Sequence, residues 1–522
     1  MTLSACAADR SRTAPPPRDL DTFGEQPHAT TQAPAPATTS TTAPTPAPSP
    51  PTATPTATPT PTPTPNPATL TALGWPADTM SYVVKISAHV FEAPDMKLEP
   101  LGKVLAGTRL PVGESIAGDK RCKWFLAAAP RGYICARYAK PSKAAPEAIA
   151  QPIVPDGEVL PQNYFGIKKG ASRYATEDDV RAGIPRPERS NQPSYMVTKE
   201  DKPVSIDGVA YAQTSVGLVA MTDIYRHWPS TFAGIDLVST PPPAWPFAWV
   251  IATDKKAVTA RATPEKKGAD AGPVLHRAVV PILEESGGFV RVADGQWIDR
   301  KNVRIARKRS RPEASDAHAK WIDVDRDEQL MIAYTGDTPV FATLISAGRR
   351  KKDTPPAVYR IRSKSSLTKM AAEEREASHY EVSEVPWATR FRSGLYFHAA
   401  YWHDRFGTPQ SHGCVNLSPA DAKWVYDWSE PVMPPGWNEL EVRVPGSMIV
   451  RVFDAKQPDP PVFDYAKEAI QRAKIRKQEE KLKKEREERE AAEAEAARSA
   501  LTNPAVPATP TTTPTTPPAT PP

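Results

Sequence analysis

Apolar positions recur with a period of two over much of the chain, and the clearest case lies in its second half. Residues 328–350, EQLMIAYTGDTPVFATLISAGRR, carry two apolar runs on either side of Thr335-Gly336-Asp337, which predicts two strands joined by a hairpin turn. AVYRIRSK follows, with Tyr359 and Ile361 set against Arg360 and Arg362 as in a half-buried strand. Thr354-Pro355-Pro356 predicts the turn that precedes it. Ser418-Pro419-Ala420-Asp421 reads as a helix start, with serine as N-cap, proline in the first position and an acid in the first turn. Trp424, Val425 and Trp428 then fall on one face, which would pack against the sheet. Short alternating strands also run from Tyr82 to Lys140, and a much diverged copy of the same plan runs from Phe247 to Arg304, which argues for repeated small β-barrel modules. Between them, Val159 to Pro246 has strand-like pieces without a chemical motif. Residues 464–500 are rich in helix formers with Glu/Lys pairs four apart and lack an apolar seam, so they read as a solvated single helix.

Composition limits how much of this folds. Of 522 residues, 61 are proline, concentrated in Thr/Pro tracts at the two ends that lack apolar side chains to bury and act as extended spacers or tails. The expected division is 1–69 export-type start and disordered linker, 70–145 β module, 146–246 unassigned β-rich module, 247–310 second β module, 321–450 catalytic domain, 464–500 charged helix and 501–522 disordered tail. A formal charge of +6, with no basic stripe interleaved with aromatics, argues against a nucleic-acid partner. No apolar run approaches the roughly 18 residues needed to cross a bilayer. Leu3-Ser4-Ala5-Cys6 has the form of a lipoprotein processing site, without the charged and apolar stretches of a signal peptide before it. Either the start lies upstream and Cys6 is a lipidation candidate that tethers the chain to a membrane, or the match is accidental. Cys122 and Cys135 flank a Pro-Arg-Gly turn between two short strand-like runs. The expected reading is a disulfide in an oxidising compartment, the alternative two buried thiols.

Cys414 is left unpaired, within YFHAAYWHDRFGTPQSHGCVNLSPADAKWVYDW (Tyr396–Trp428). A thiol attacks well as thiolate, so a catalytic cysteine needs an imidazole to take its proton and amides to hold the oxyanion that forms. Gly413 would let the backbone turn and aim the amides of Gly413 and Cys414 at one point. His398, His403 and His412 are all candidate bases on sequence alone. The spacing H-x4-H-x8-H-x-C also admits zinc, but structural zinc sites favour close Cys/His pairs and none occurs here, so no metal is expected.

The stretch HAAYW…SHGCVNLSPADAKWVYDW, with the upstream hairpin and Thr-Pro turn, closely resembles the catalytic domain of L,D-transpeptidases, cysteine enzymes that crosslink bacterial peptidoglycan. The resemblance covers roughly 321–450 and implies a mainly β fold, a sandwich or barrel-like catalytic domain with a short helix after the cysteine. The upstream modules resemble bacterial SH3-like domains in strand lengths and turns. By resemblance Cys414 is the nucleophile, His398 the base and acid, the Ala399 backbone carbonyl its orienter, and His412 and Gly413 shape the oxyanion site. Ser411, Asn416, Tyr401, Trp402 and His403 are the substrate-binding candidates. Asn416 stands where arginine is frequent, and Ala357 where glycine is common. The implied reaction needs no cofactor: a tetrapeptide stem acylates Cys414 and an amine resolves the thioester, giving a 3-3 crosslink. The same chemistry would serve to attach a protein or exchange a terminal D-amino acid, and a non-catalytic wall-binding protein is the remaining alternative. The expected partners are peptidoglycan stem peptides, and the expected location is the periplasm or cell envelope.

Overall fold

A computed structural model describes residues 65–147, 152–186, 194–200, 202–349 except 314 and 317, 353–371, 380–442 and 447–468, with isolated positions from 470 to 489. Cys6, Arg350, Lys351, Lys352, most of the N-terminal linker and the C-terminal tail lie outside the described residues. The described positions from Tyr465 onward are helical. Among the described residues no helix is long and apolar enough to cross a membrane.

The fold is mainly β. The part that contains Cys414 runs β1 (Lys320–Asp325), β2 (Leu330–Thr335), β3 (Thr338–Leu344), β4 (Ala357–Arg360), β5 (Ser363–Ala371), β6 (Tyr380–Arg392), β7 (Leu395–Ala399), β8 (Val415–Leu417), α1 (Pro419–Trp428), β9 (Trp437–Glu441) and β10 (Ile449–Phe453). One sheet has the order β3-β2-β1-β10-β4, with Ile235–Asp236 added beside β3. The other contains β6-β5-β9, with β7 on β6 and β8 on β7. Side chains from both sheets and from α1 share one core: Ile322, Val324, Tyr359 and Val450 from the first, Phe391, Phe397 and Val415 from the second, Val425 and Tyr426 from the helix. Two sheets with apolar inner faces can bury them only against each other or a helix, and here both happen.

The helix begins as its sequence requires, with Ser418 Oγ accepting from Asp421 N at 3.2 Å and Pro419 in the first turn. Its buried face differs from the expected one. Ala422, Val425 and Tyr426 are buried, whereas Trp424 and Trp428, four residues apart, stack on each other at 5.0 Å along the rim and stay half-buried. At 3.6 residues per turn those two rings form their own stripe beside the core stripe, and Trp424 is held by stacking on Phe341 at 4.1 Å.

Upstream, one plan occurs three times. A central strand is flanked antiparallel by an earlier and a closing strand, with a 3-10 turn just before the closing one. The central strands are Ser81–Val84, Tyr164–Ile167 and Phe247–Val250, and the closing strands are Ala139–Ser142, Ile224–Arg226 and Val303–Ala306. The turns are Ala136–Tyr138, Met221–Asp223 and Arg300–Asn302. The middle region is therefore a third copy, which its prolines hid in the sequence. The fold also begins earlier than expected, with a helix Pro67–Leu73 capped by Asn66, whose side chain accepts from Ala68 N at 3.0 Å.

These modules are continuous with the two sheets around Cys414. Gly102–Val104 pairs with β9, and Ser194–Thr198 pairs in parallel with β6. Cys122 and Cys135 are joined as a disulfide beside Phe125 in the first module.

Candidate active site

The parallel pairing of β7 and β8 sets Phe397 opposite Val415, His398 opposite Asn416 and Ala399 opposite Leu417. Cys414 precedes β8 by one residue, so its backbone lies beside Tyr396, two residues along β7 from His398. Sheet spacings put the two Cα atoms roughly 8 Å apart. His398 is buried, with Nδ1 3.2 Å from Ala399 O. A carbonyl only accepts, so Nδ1 carries the proton and Nε2 keeps its lone pair. The ring stacks on Trp402 at 5.6 Å.

Burial pushes the Cys414 thiol up to about 11, against a hydrogen bond from the Tyr396 amide that favours the thiolate. Burial likewise lowers His398 to about 4, against its Ala399 contact. At neutral pH the resting pair is a neutral thiol and a neutral imidazole. The thiol donates to Gly394 O at 3.4 Å and makes no hydrogen bond to His398. His398 is buried, whereas Cys414 keeps part of its surface open to solvent.

The loop before the thiol is tied down by its own side chains. Gly413 has φ of +124°, and an added Cβ would lie 2.8 Å from Leu395 Cδ2 and 3.2 Å from Asp353 O. Its amide donates to Ser411 Oγ at 3.0 Å, and Ser411 Oγ donates to Cys414 O. The Gly413 amide is thus engaged within the loop, rather than aimed with Cys414 N at one point. Thr354 Oγ1, fully buried, donates to Gly413 O at 2.7 Å and accepts from Gly348 N at 3.0 Å. Ser346 exchanges both backbone hydrogen bonds with Asn416, at 2.9 and 3.0 Å. The Thr354-Pro355-Pro356 turn was visible in the sequence. That its hydroxyl holds the carbonyl before the nucleophile was not, because 59 residues separate the two.

The other candidates divide by exposure. Tyr401 is buried, stacked on Tyr164 at 3.8 Å, and its hydroxyl donates to Ser383 O at 3.0 Å. Ser411 and Asn416 are also buried and bonded within the protein. These three hold the site together rather than line a groove. Trp402 and His403 stay half-buried, and His412 packs against Tyr380 at 4.9 Å. His403 Nδ1 accepts from Arg405 N at 3.2 Å, and its Nε2 lies 2.9 Å from Asn416 Nδ2; a neutral ring that accepts at Nδ1 carries its proton on Nε2, which the Asn416 carboxamide meets only with its oxygen turned toward the ring. Burial lowers His403 to about 4 as well, aided by nearby His398. Among the described residues no three His, Cys, Asp or Glu side chains converge as a ligand set for a metal.

A cysteine on a glycine turn, a histidine oriented by the carbonyl of the next residue, and a capped helix behind them occupy the segment that matches a family model, YkuD, the L,D-transpeptidase catalytic domain, over residues 319–447. Residues 319–447 are an L,D-transpeptidase catalytic domain. The chain is 28% identical over 129 residues to the L,D-transpeptidase-type protein YciB of Bacillus subtilis strain 168, covering 22% of this chain and 63% of that one. It is 44% identical over 48 residues to L,D-transpeptidase 2 of Mycobacterium tuberculosis, covering 9% and 12%. The chain therefore spans less than two thirds of either relative. Similar solved structures include an L,D-transpeptidase from Mycobacterium smegmatis (23% identity, 26% of this chain and 58% of that one, TM-score 0.22). The catalytic domain of the E. faecium L,D-transpeptidase is another (23% identity, 27% and 100%, TM-score 0.22). The L,D-transpeptidase domain is embedded in a longer chain whose upstream modules share its sheets.

Proposed function

We propose that the chain is a peptidoglycan L,D-transpeptidase that forms 3-3 crosslinks through a thioester on Cys414. The observation that carries this reading is the register of β7 and β8, which brings Cys414 beside a histidine whose Nδ1 is committed to Ala399 O and whose Nε2 is a free base. Substrate binding turns the thiol from Gly394 O toward Nε2. As the sulfur attacks the carbonyl of the third residue of a tetrapeptide stem, its proton passes to His398. The C–N bond to the terminal D-alanine breaks, the amine leaves with that proton, and a thioester remains. A side-chain amine of a neighbouring stem then attacks the thioester, His398 takes a proton from it, and the thiol is restored. One amide is exchanged for another, so no ATP and no cofactor are required. The neutral resting pair suits this sequence, because a neutral imidazole can accept the proton in the same step in which sulfur attacks.

An exported protein of the cell envelope fits the Cys122–Cys135 disulfide and the substrate. The test is the intact mass of the full chain after incubation with a carbapenem, a carbonyl acylating agent, and muropeptide composition in cells that express it. The expected result is a covalent adduct and new 3-3 linked muropeptides with the parent protein and neither with Cys414→Ala. An adduct that persists in Cys414→Ala, or a parent that gives neither signal, overturns the proposal. Crosslinks absent but D-amino acid exchange present would assign the same thioester to the exchange reaction.

A further inference from the structure

His403 is followed by Asp404, and three separate upstream segments converge on that carboxylate. Arg277 Nη2 lies 2.5 Å from Asp404 Oδ1, Ser230 Oγ donates to the same oxygen at 2.6 Å, and Lys255 Nζ lies 3.3 Å from Oδ2. Arg277 and Lys255 belong to the module built on Phe247–Val250. The same module reaches the end of this loop through Arg304, whose Nε donates to Gly407 O at 2.6 Å. Arg277 is not a loosely tethered surface arginine. Its backbone is left-handed, with φ of +64°, its amide donates to Val250 O at 2.6 Å, and its guanidinium lies over the Phe232 ring at 4.6 Å. Its side chain is 18% exposed, so the pair is screened less than a surface ion pair.

The far side of the loop is the active site. His403 meets the Asn416 carboxamide, and Asn416 is the cross-strand partner of His398. His398 in turn rests on Trp402, the residue before His403. The loop therefore supports the base on two sides, and its own position is fixed by the module. We infer that Arg277, acting through Asp404, is a positioning residue for the His398–Cys414 pair, so that the module 247–306 holds the active site in its working geometry. The inference rests on the reading of Cys414 as nucleophile and His398 as base. Displacing a catalytic group by about 1 Å can cost up to about a hundredfold in rate.

The test uses the full chain with Arg277→Ala, Arg277→Lys and Asp404→Asn. Carbapenem acylation of Cys414 is followed by intact mass over a range of concentrations, alongside thermal unfolding and the ring nitrogen signals of His403 by NMR. The expected result is a saturating acylation rate about tenfold lower in Arg277→Ala and Asp404→Asn, with half-saturation changed by less than about twofold. Arg277→Lys should recover most of the rate, and the His403 signals should move in Arg277→Ala. A purely structural contact would lower the unfolding temperature while the folded protein acylates at the parental rate with unmoved His403 signals, and that outcome overturns the inference. Should the parent itself fail to acylate, the functional reading falls, and the His403 signals still decide whether Arg277 positions the loop.

Discussion

Gly413 carries a backbone demand that no other residue meets at low cost. Its φ of +124° lies where L side chains are strained, and a methyl group would press on Leu395 Cδ2 at 2.8 Å. Gly413→Ala is expected to cost about 1–3 kcal/mol and to slow acylation of Cys414, read by thermal unfolding and by adduct formation. The imidazoles impose a pH dependence. The folded-state value of His398 is lowered to about 4 from 6.5, so below 6.5 the unfolded chain binds the proton more readily. Its contribution to stability is fully present above about 6.5 and is lost as pH falls through about 4, at most about 3 kcal/mol. Denaturant midpoints should fall across that window, and less so in His398→Gln. Acylation should rise with pH through about 4 and then level off, since it needs the neutral ring. A rate limb near 6.5 instead would show that His398 is hydrated in the working enzyme.

Among elements, α1 shows how a buried cation ends a helix. Lys364 on β5 is fully buried, and its Nζ donates to Tyr426 O, to Ser429 O at 2.8 Å and to Pro431 O at 3.1 Å. Three acceptors match the three donors of an ammonium and satisfy carbonyls that the helix end leaves open. Burial nonetheless lowers this amine to about 7. Lys364→Met keeps the volume and strands three carbonyls, so a loss of about 2–5 kcal/mol is expected by chemical denaturation. No loss would mean that water replaces the amine. The Ser418 cap was legible because it is a four-residue signal. Lys364 was not, because it is 62 residues from Tyr426 and reads as the polar side of a strand.

Across the whole molecule, the upstream modules complete the sheets of the L,D-transpeptidase domain. Gly102–Val104 covers the edge of β9, and Trp437 on β9 is fully buried with its indole N–H donating to Ala129 O at 2.9 Å. A chain starting at residue 152 would expose that strand edge and that ring together. It is expected to aggregate or bind a hydrophobic dye, measured by light scattering and dye fluorescence against the full chain. A soluble truncated protein with parental unfolding temperature would show that the modules are independent. The repeated module plan was readable twice, at 82–140 and 247–304, where short strands and turns follow in order. The third copy was not, because prolines interrupt its strand-like runs, although the stretch between its central strand, Tyr164–Ile167, and Ser194–Thr198 is similar in length to those in the other two.

Local spacing by itself determined the turn glycine before Cys414, the capped helix after it and the alternation that makes the domain β, since each depends on residues a few positions apart. Tertiary structure decided the rest. The β7–β8 register set His398 two residues along the neighbouring strand from the position facing Cys414, burial took the His398 ring out of water, and pairing across more than a hundred residues set Arg277 on Asp404. Such contacts depend on which strands meet and how deeply they are buried, and neither is written in the residues next to the thiol.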